Sequence, residues 1–546
     1  MLSFLFWFPF CFGSQLPLIS TEDSSSFIFN SLFGLLKQWP NTLHPNGHAI
    51  VPVTISPYTL LYHARTDTQN PPPSPEWVGF VPELGYGLAQ MAPSGQPTYI
   101  HTYRSTRPLR TLVFDGLSAF PTEIDVGWMD SVATFIHGAG QRGTGKNRPA
   151  HGGLAEEYER AIKLCEWGNT RNIEGFIRMN SGFELLWCDF TSSAIELVRH
   201  VNVTPPHDPH KESRYTALPN SVAGAGAPDA PPVLAFPFFS LSSFHEWARM
   251  YTLYNMVSLP FLTLHPAGMV TYYHPRLASL AGARAGQRMA HHRIWPFITN
   301  EDAISVRSEV EGVVSRDFTA GSGADWSSIV QTMVDNWTHR IGHVRLVLSN
   351  VTSSPPNSVN LTSAVQEVQL LTYSPLMPYM DTSSATNASG YDLFFSRRLS
   401  HPHESGLDRC TTQYTGWMHR SEAMTSQEDL LKTSVEIVQK RICLEFGTIF
   451  AESFDRSPLH PDPTATSKQM KRWLSQIENL SRYLDWPSEA RCEQVCARDS
   501  VCAMPLWPFE PLWPELGLEL IPTCQKIDVF GGPETWRKQW ANESMS

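Results

Sequence analysis

The residues with the plainest chemical purpose in this sequence are its cysteines. There are nine. Cys11 lies in an apolar run at the N-terminus, and Cys165, Cys188, Cys410, Cys443, Cys492, Cys496, Cys502 and Cys524 follow. An even set without Cys11 is what oxidised pairing requires, and spacing alone leaves the partners open. Cys492, Cys496 and Cys502 lie close together, but not in the paired C-x2-C form of a zinc ribbon. We expect disulfides here and no metal. Cys492 and Cys496, one helical turn apart, are expected to bridge elsewhere rather than to each other.

Asparagine is the second source of chemistry. Asn202, Asn336, Asn350, Asn360, Asn387, Asn479 and Asn542 each open an N-x-[ST] triplet, the acceptor for N-linked sugar. Pro205 follows closely on the first and disfavours it, whereas Asn479 stands off the apolar stripe of its expected helix. The run Leu2–Phe10 with small residues at Cys11 and Gly13 reads as a compact signal peptide over residues 1–13, although no Lys or Arg precedes it. The run is shorter than the roughly 20 residues of a membrane helix, and no later segment reaches that length without polar breaks. Cysteines, triplets and leader together point to the secretory pathway, extracellular or in the lumen of the endoplasmic reticulum.

Other constellations are weaker. Gly140–Asn147 nearly matches a phosphate loop, but Asn147 replaces the hydroxyl that would hold Mg2+, and Pro149 prevents a helix from starting. Gly116–Phe120 lacks the second glycine of a nucleophile elbow. The pairs His207/His210, His291/His292 and His401/His403 fall in Pro- or Arg-rich stretches and read as solvated histidines. The basic runs Arg142–Arg148 and Arg284–Arg293 read as solvated loops. With a net charge of −11 and no larger basic cluster, nucleic-acid binding is not expected.

The elements that must position these residues follow from periodicity. The chain is 42% hydrophobic, enough for sizeable cores and too much for wholesale disorder. Residues 14–44 carry a short amphipathic helix near Phe27–Lys37, ended before Pro40. Residues 45–203 read as an α+β domain. Ile50–Ile55, Thr59–His63, Thr98–Tyr103, Thr111–Asp115, Gly175–Met179, Phe183–Asp189 and Ile195–Val201 are β-branched or aromatic runs bounded by turn residues. Leu154, Tyr158, Ala161, Ile162 and Cys165 share one helical face between them. Residues 204–235, rich in Pro, Gly and Ala, read as a linker. Residues 236–546 read as mainly helical, with a Cys-rich end. Stripes run from Trp326 to Val344, from Leu431 to Ile449 behind a capping box at Ser426–Asp429, and from Met470 to Leu484. The fold class expected is α+β, a mixed α/β N-terminal domain followed by a mainly α-helical, disulfide-linked C-terminal domain.

Several stretches resemble a widespread family of fungal secretory proteins of uncharacterised function. They are Leu60-Leu61-Tyr62-His63, Ser74-Pro75-Glu76-Trp77, Arg178-Met179-Asn180 with Gly182-Phe183-Glu184, Trp187-Cys188-Asp189-Phe190, Gly323-Ala324-Asp325-Trp326 and Cys492–Trp507. The resemblance spans most of the chain and implies no activity. A second resemblance covers residues 50–200. A strand ending in Tyr62-His63, then Glu76–Phe80, a strand through Tyr103 and a final strand pair holding Glu184 resemble ADP-ribosyltransferase-like folds, with Ala64 where those carry glycine. That resemblance implies His63 holding a ribose hydroxyl and carboxamide, Tyr86 or Tyr103 stacking on nicotinamide, and Glu184 stabilising the oxocarbenium-like centre. Otherwise His63 is a satisfied core histidine and Glu184 a strand-edge carboxylate.

Three functional classes follow: a non-catalytic secreted or lumenal binding or structural protein, a transferase using NAD, and a secreted hydrolase acting on wall polysaccharide or protein. The sequence assigns no cofactor, partner or oligomeric state.

Overall fold

The computed structural model describes residues 21–65, 67–68, 70–89, 97–117, 128–139, 154–180, 182–203, 259, 261–354, 360–382, 388–397, 403–418, 423–455, 462–492, 494–503 and 522–526. The expected leader 1–13, the expected linker 204–235, the Gly-rich stretch 140–147, His207, His210, His401, Asn387 and Asn542 lie outside them.

The described residues begin with α1 (Thr21–Gly34) and α2 (Gln38–Leu43), then β1 (Ala49–Ile55), β2 (Leu60–Arg65), β3 (Glu76–Gly79), α3 (Pro82–Ala89), β4 (Tyr99–Ser105) and β5 (Leu109–Leu117). Next come α4 (Trp128–His137), α5 (Leu154–Asn169), β6 (Gly175–Asn180), β7 (Gly182–Trp187) and β8 (Ile195–Asn202). Beyond 258 lie β9 (Leu262–Leu264), β10 (Val270–Thr271), α6 (Ala278–Arg284), α7 (Asn300–Val314), α8 (Trp326–Ser353) and α9 (Leu361–Leu376). The last elements are α10 (Gly390–Phe394), α11 (Gly406–Thr411), α12 (Ser426–Phe454), α13 (Pro463–Leu484), β11 (Ser500–Ala503) and β12 (Thr523–Lys526).

A mixed sheet in the order β10-β1-β5-β6-β7-β3-β2-β4-β8, with β9 also on β1, forms the middle layer. Every pair is antiparallel except β5–β6. A parallel pair needs a crossover, and α4 and α5 supply it. Alternation along the strands gives the sheet two apolar faces. Val53, Leu61, Val78, Tyr103 and Leu185 face one core, shared with α1, α8, α9, α12 and α13. Trp77, Leu112, Phe114, Phe176 and Leu186 face another, covered by α4, α5 and α7. The fold is α+β, with a helical layer on each side of the sheet. Gly116, at φ +95°, closes against Gly47, where an added Cβ would lie 2.3 Å from the Gly47 nitrogen.

The three long stripes behave as their spacing implies. Trp326, Val330, Met333, Trp337, Ile341 and Val344 are all buried on α8, and the α12 and α13 stripes likewise. Other expectations are corrected. The N-terminal helix is not amphipathic: residues 28–34 are all buried, because α1 inserts between α8 and α12. That helix does end before Pro40, at Gly34, and Pro40 sits in the first turn of α2. On α5, Tyr158 and Ile162 are exposed; the buried face is Ala161, Leu164, Cys165 and Trp167, turned toward Phe135 and Phe176. The box opening α12 begins one residue earlier, at Thr425: its nitrogen donates to Glu428 Oε2 (2.9 Å), and its Oγ1 accepts from the Glu428 nitrogen (3.1 Å). The helical part is also not separate from the sheet, since β9 and β10 return to pair with β1.

Candidate functional site

His63, Tyr103 and Glu184 all lie on the β7-β3-β2-β4 stretch of the sheet. Register decides how they face. His63 pairs with His101, and Leu61 with Tyr103, so His63, His101 and Tyr103 share one face. Tyr62 pairs with Gly79, and Gly79 with Glu184, which puts Glu184 on the face of Tyr62 and Trp77, opposite to His63. The structure therefore brings His63 and Tyr103 to one side and Glu184 to the other. Tyr86 lies on α3, and its side chain is outside the described residues.

Glu184 is fully committed on its own face. Arg178, its register partner on β6, donates from Nε (3.0 Å) and Nη2 (2.9 Å) to Glu184 Oε2. The guanidinium lies 3.4 Å from the centre of the Trp77 ring. Arg178 is 4% exposed and Glu184 1%. This is a buried ion pair capped by a cation–π contact. It is neither a strand-edge carboxylate nor one open to a ligand.

On the other face, His63 Nδ1 is 2.8 Å from the Trp77 carbonyl oxygen and His101 Nε2 is 3.1 Å from that of Asp67. A carbonyl only accepts, so both nitrogens carry the hydrogen and each tautomer is set. Tyr103 donates its hydroxyl to Asn70 Oδ1 (3.3 Å) and meets Phe190 edge-on. Burial pushes its phenol up to about 12, with Arg65 opposing. Arg65 is itself held by Asp67 through two bonds of 2.8 and 2.9 Å.

The third strand adds what sequence reasoning missed. His101 pairs across β4–β8 with His200, and the rings are 5.7 Å apart. Leu197 opposes Tyr103 and Arg199 opposes Thr102, so Val198 is an extra residue, a β-bulge. Without it, His200 would point away from His101. The alternation Tyr99-x-His101-x-Tyr103 was a visible signal; the partner of His101 was not, because it depends on the bulge.

Of the pair His291/His292 and the basic run 284–293, His291 and Arg288 are exposed as expected, but His292 and Arg284 are not. His292 is fully buried, its Nδ1 3.1 Å from Tyr273 Oη, with Phe27 edge-on to its ring. Arg284 is buried over the Tyr273 ring. Arg284 and His292 turn inward against Tyr273 and Phe27, while residues 285–288 and His291 stay in solvent. Burial, reinforced by Arg284, holds His292 down at about 4 from 6.5. His63 is also held at about 4, first by burial and further by Arg65 and His101. A lowered histidine contributes stability that is complete above its unfolded value and is lost as pH falls through its folded value. At ~1.4 kcal/mol per unit, His292 alone accounts for roughly 3 kcal/mol lost between pH 6.5 and about 4. Asp115 runs the other way: burial raises it to about 7, so its contribution is complete below about 4 and lost as pH rises through 7. We predict that urea midpoints fall from pH 7 to pH 4.5, that His292→Gln flattens this fall and that Asp115→Asn steepens it.

An open groove of about 550 Å3 lies elsewhere, between Arg110, Arg171, Glu311, Arg316 and Asp317. Its cations are already answered: Arg171 by Glu311 (2.7 Å), Arg316 by Gln427 (2.8 Å), Arg110 by the Val314 carbonyl (2.9 Å).

The disulfides are Cys165–Cys188, Cys410–Cys443, Cys492–Cys502 and Cys496–Cys524. Cys492 and Cys496 indeed bridge elsewhere. The sulfurs of Cys492, Cys496 and Cys502 lie within 4.8 Å of one another, but disulfide sulfurs are not the thiolates that bind zinc. Asn202, Asn336, Asn350, Asn360 and Asn479 are all exposed. Among the described residues no helix is long and apolar enough to cross a membrane.

Several stretches of the fungal resemblance have architectural work. Asp325 caps α8, accepting from the Ser328 nitrogen (3.0 Å), and Trp326 Nε1 donates to Glu428 (3.0 Å). Ser74 Oγ accepts from the Phe190 nitrogen (3.0 Å), and Trp187 Nε1 donates to the Asp189 carbonyl (2.7 Å).

Comparison with known proteins agrees with that resemblance. Residues 89–212 match the model of the YPL277C N-terminal domain, a span holding His101, Tyr103, Glu184 and His200 but not His63. The chain is 22% identical over 566 residues to the uncharacterized protein YOR389W of Saccharomyces cerevisiae, covering 90% of this chain and 82% of that one. It is 27% identical over 234 residues to the uncharacterized protein YPL277C of the same yeast, covering 36% of this chain and 46% of that one. No solved structure matches. These matches support an uncharacterised fungal family. The resemblance to ADP-ribosyltransferase-like folds is not shown by them.

Proposed function

We propose that this chain is a disulfide-bonded glycoprotein of the secretory pathway, secreted or lumenal, with a binding or structural role. The observation that carries this reading is the state of its chemistry-bearing residues. Eight cysteines are joined in four disulfides, and each sequon asparagine among the described residues is exposed to solvent. Pairing of this density belongs to an oxidising compartment. Glu184 faces away from His63 and Tyr103 and is held by Arg178. That arrangement favours a non-catalytic role over dinucleotide cleavage.

The test is expression of the full chain with its own leader in a yeast host. Treatment with an N-glycan-removing endoglycosidase should increase the mobility of the wild-type protein on a gel. A variant with Asn→Gln at 336, 350, 360 and 479 should show a smaller shift. A wild-type protein that the enzyme leaves unchanged, recovered from the cytosolic fraction, would overturn the reading.

A further inference from the structure

His63, His101 and His200 stand in one row across β2, β4 and β8, each the direct register partner of the next. Neighbours in such a row have Cβ atoms about 5 Å apart. Two of the three are oriented as metal-binding histidines are: one ring N–H donates to a backbone carbonyl, which fixes the tautomer and leaves the other nitrogen with its lone pair. That nitrogen is Nε2 in His63 and Nδ1 in His101.

His101 adds an independent observation. Its side chain is fully buried, and Nδ1 has no hydrogen-bond partner. A buried acceptor left unpaired costs about 1–3 kcal/mol. Nothing about strand pairing requires a histidine here, and a bound cation would satisfy the lone pair. The bulge at Val198 brings His200 beside it, on an exposed edge strand. Bulges that re-aim a side chain recur next to functional sites. The exposed edge also gives a cation a route from solvent.

Arg65, the cation that acts on both His63 and His101, is ion-paired with Asp67. Arg199 pairs with Thr102 and so faces away from the row. The ligand nitrogens of all three are not gathered within 4.8 Å of one another. The core of the site is His101 and the exposed His200, whose ring centres are 5.7 Å apart.

We propose that His101 Nδ1 and the His200 imidazole bind one divalent transition-metal ion at the open edge of the sheet, with His63 next in the row and water completing the coordination. Imidazole donors select Zn2+, Ni2+ and Cu2+ over Mg2+ and Ca2+, and Cu2+ should bind tightest. The proposal does not depend on the secretory reading: it can fail while the sugars and disulfides stand, and the reverse.

The experiment uses the untagged full chain with its disulfides intact. Calorimetric titration at pH 7.5 should give one equivalent of Zn2+ bound, and none of Mg2+. His200→Ala, at an exposed position, should weaken Zn2+ at least tenfold with an unchanged circular dichroism spectrum. His403→Ala, at an exposed histidine outside the row, should change nothing. Electron paramagnetic resonance of the wild-type protein with one equivalent of Cu2+ should show coupling to two imidazole nitrogens, a readout that needs no variant. Absence of stoichiometric binding, equal Zn2+ affinity in His200→Ala, or a Cu2+ spectrum without imidazole coupling would overturn the proposal.

Discussion

Glu184→Ala should lower the stability of the chain by about 3–5 kcal/mol, the usual cost of removing one member of a buried ion pair. Arg178 would remain in the core facing Trp77 with its main counter-charge gone, and it is 4% exposed. Arg178→Ala should cost a similar amount by stranding the carboxylate. Replacing both with leucine should cost much less than the sum of the two single changes, because the expensive species is the unpaired charge rather than the missing bond. Urea unfolding followed by tryptophan fluorescence measures all three. A loss below about 1 kcal/mol in either single variant, the range of an exposed ion pair, would mean the pair is open to water. The buried carboxylate described above would then be wrong.

Trp473→Ala should cost a comparable amount, about 3–5 kcal/mol by the combined transfer and cavity terms for a large buried aromatic. Trp473 is fully buried on α13, which packs against α8 and α12. Its Nε1 donates to Glu452 Oε2 (2.7 Å) at the end of α12, and Gln469 donates to the same oxygen (2.7 Å). The side chain thus fills the core and ties two helices through one carboxylate. Trp473→Phe separates these roles. It keeps most of the packing and loses the donor, so it should fall well short of the alanine cost. Equal losses in both variants would place the stability in the hydrogen bond instead of the packing.

What the sequence disclosed, and what it withheld, follows from the range of the forces involved. The stripes of α8, α12 and α13 were legible because a helix buries residues at a fixed local period. The disulfide expectation was legible because eight cysteines carry their own arithmetic, though their pairing waits on the fold. Most strands were visible as β-branched runs. β3 was not, being four residues among prolines at 71, 72, 73, 75 and 82. β9 and β10 are shorter still and owe their state to β1. The capping box was misplaced by one residue, because Ser426 and Thr425 offer the same chemistry and only Thr425 has the acceptor geometry.

The site was less legible than the fold. His63, Tyr103 and Glu184 could be placed on strands, but a face is set by pairing register, and a shift of one residue reverses it. Glu184 turned out opposite His63 for that reason, through Tyr62, Gly79 and Glu184 in succession. The His63–His101–His200 row depends on two registers and one bulge, none of which leaves a local trace. His292, expected in solvent because arginines surround it, is buried because its ring packs against Phe27 and Tyr273, while its neighbour His291 stays exposed.

The reading of the chain as an oxidised, lumenal protein is tested most directly by a disulfide map. Protein purified from its native compartment would be alkylated without reduction, digested and examined by mass spectrometry. The account predicts no alkylated cysteine among the eight and cross-linked peptides joining Cys165 to Cys188, Cys410 to Cys443, Cys492 to Cys502 and Cys496 to Cys524. Free, alkylated thiols at these positions would contradict it.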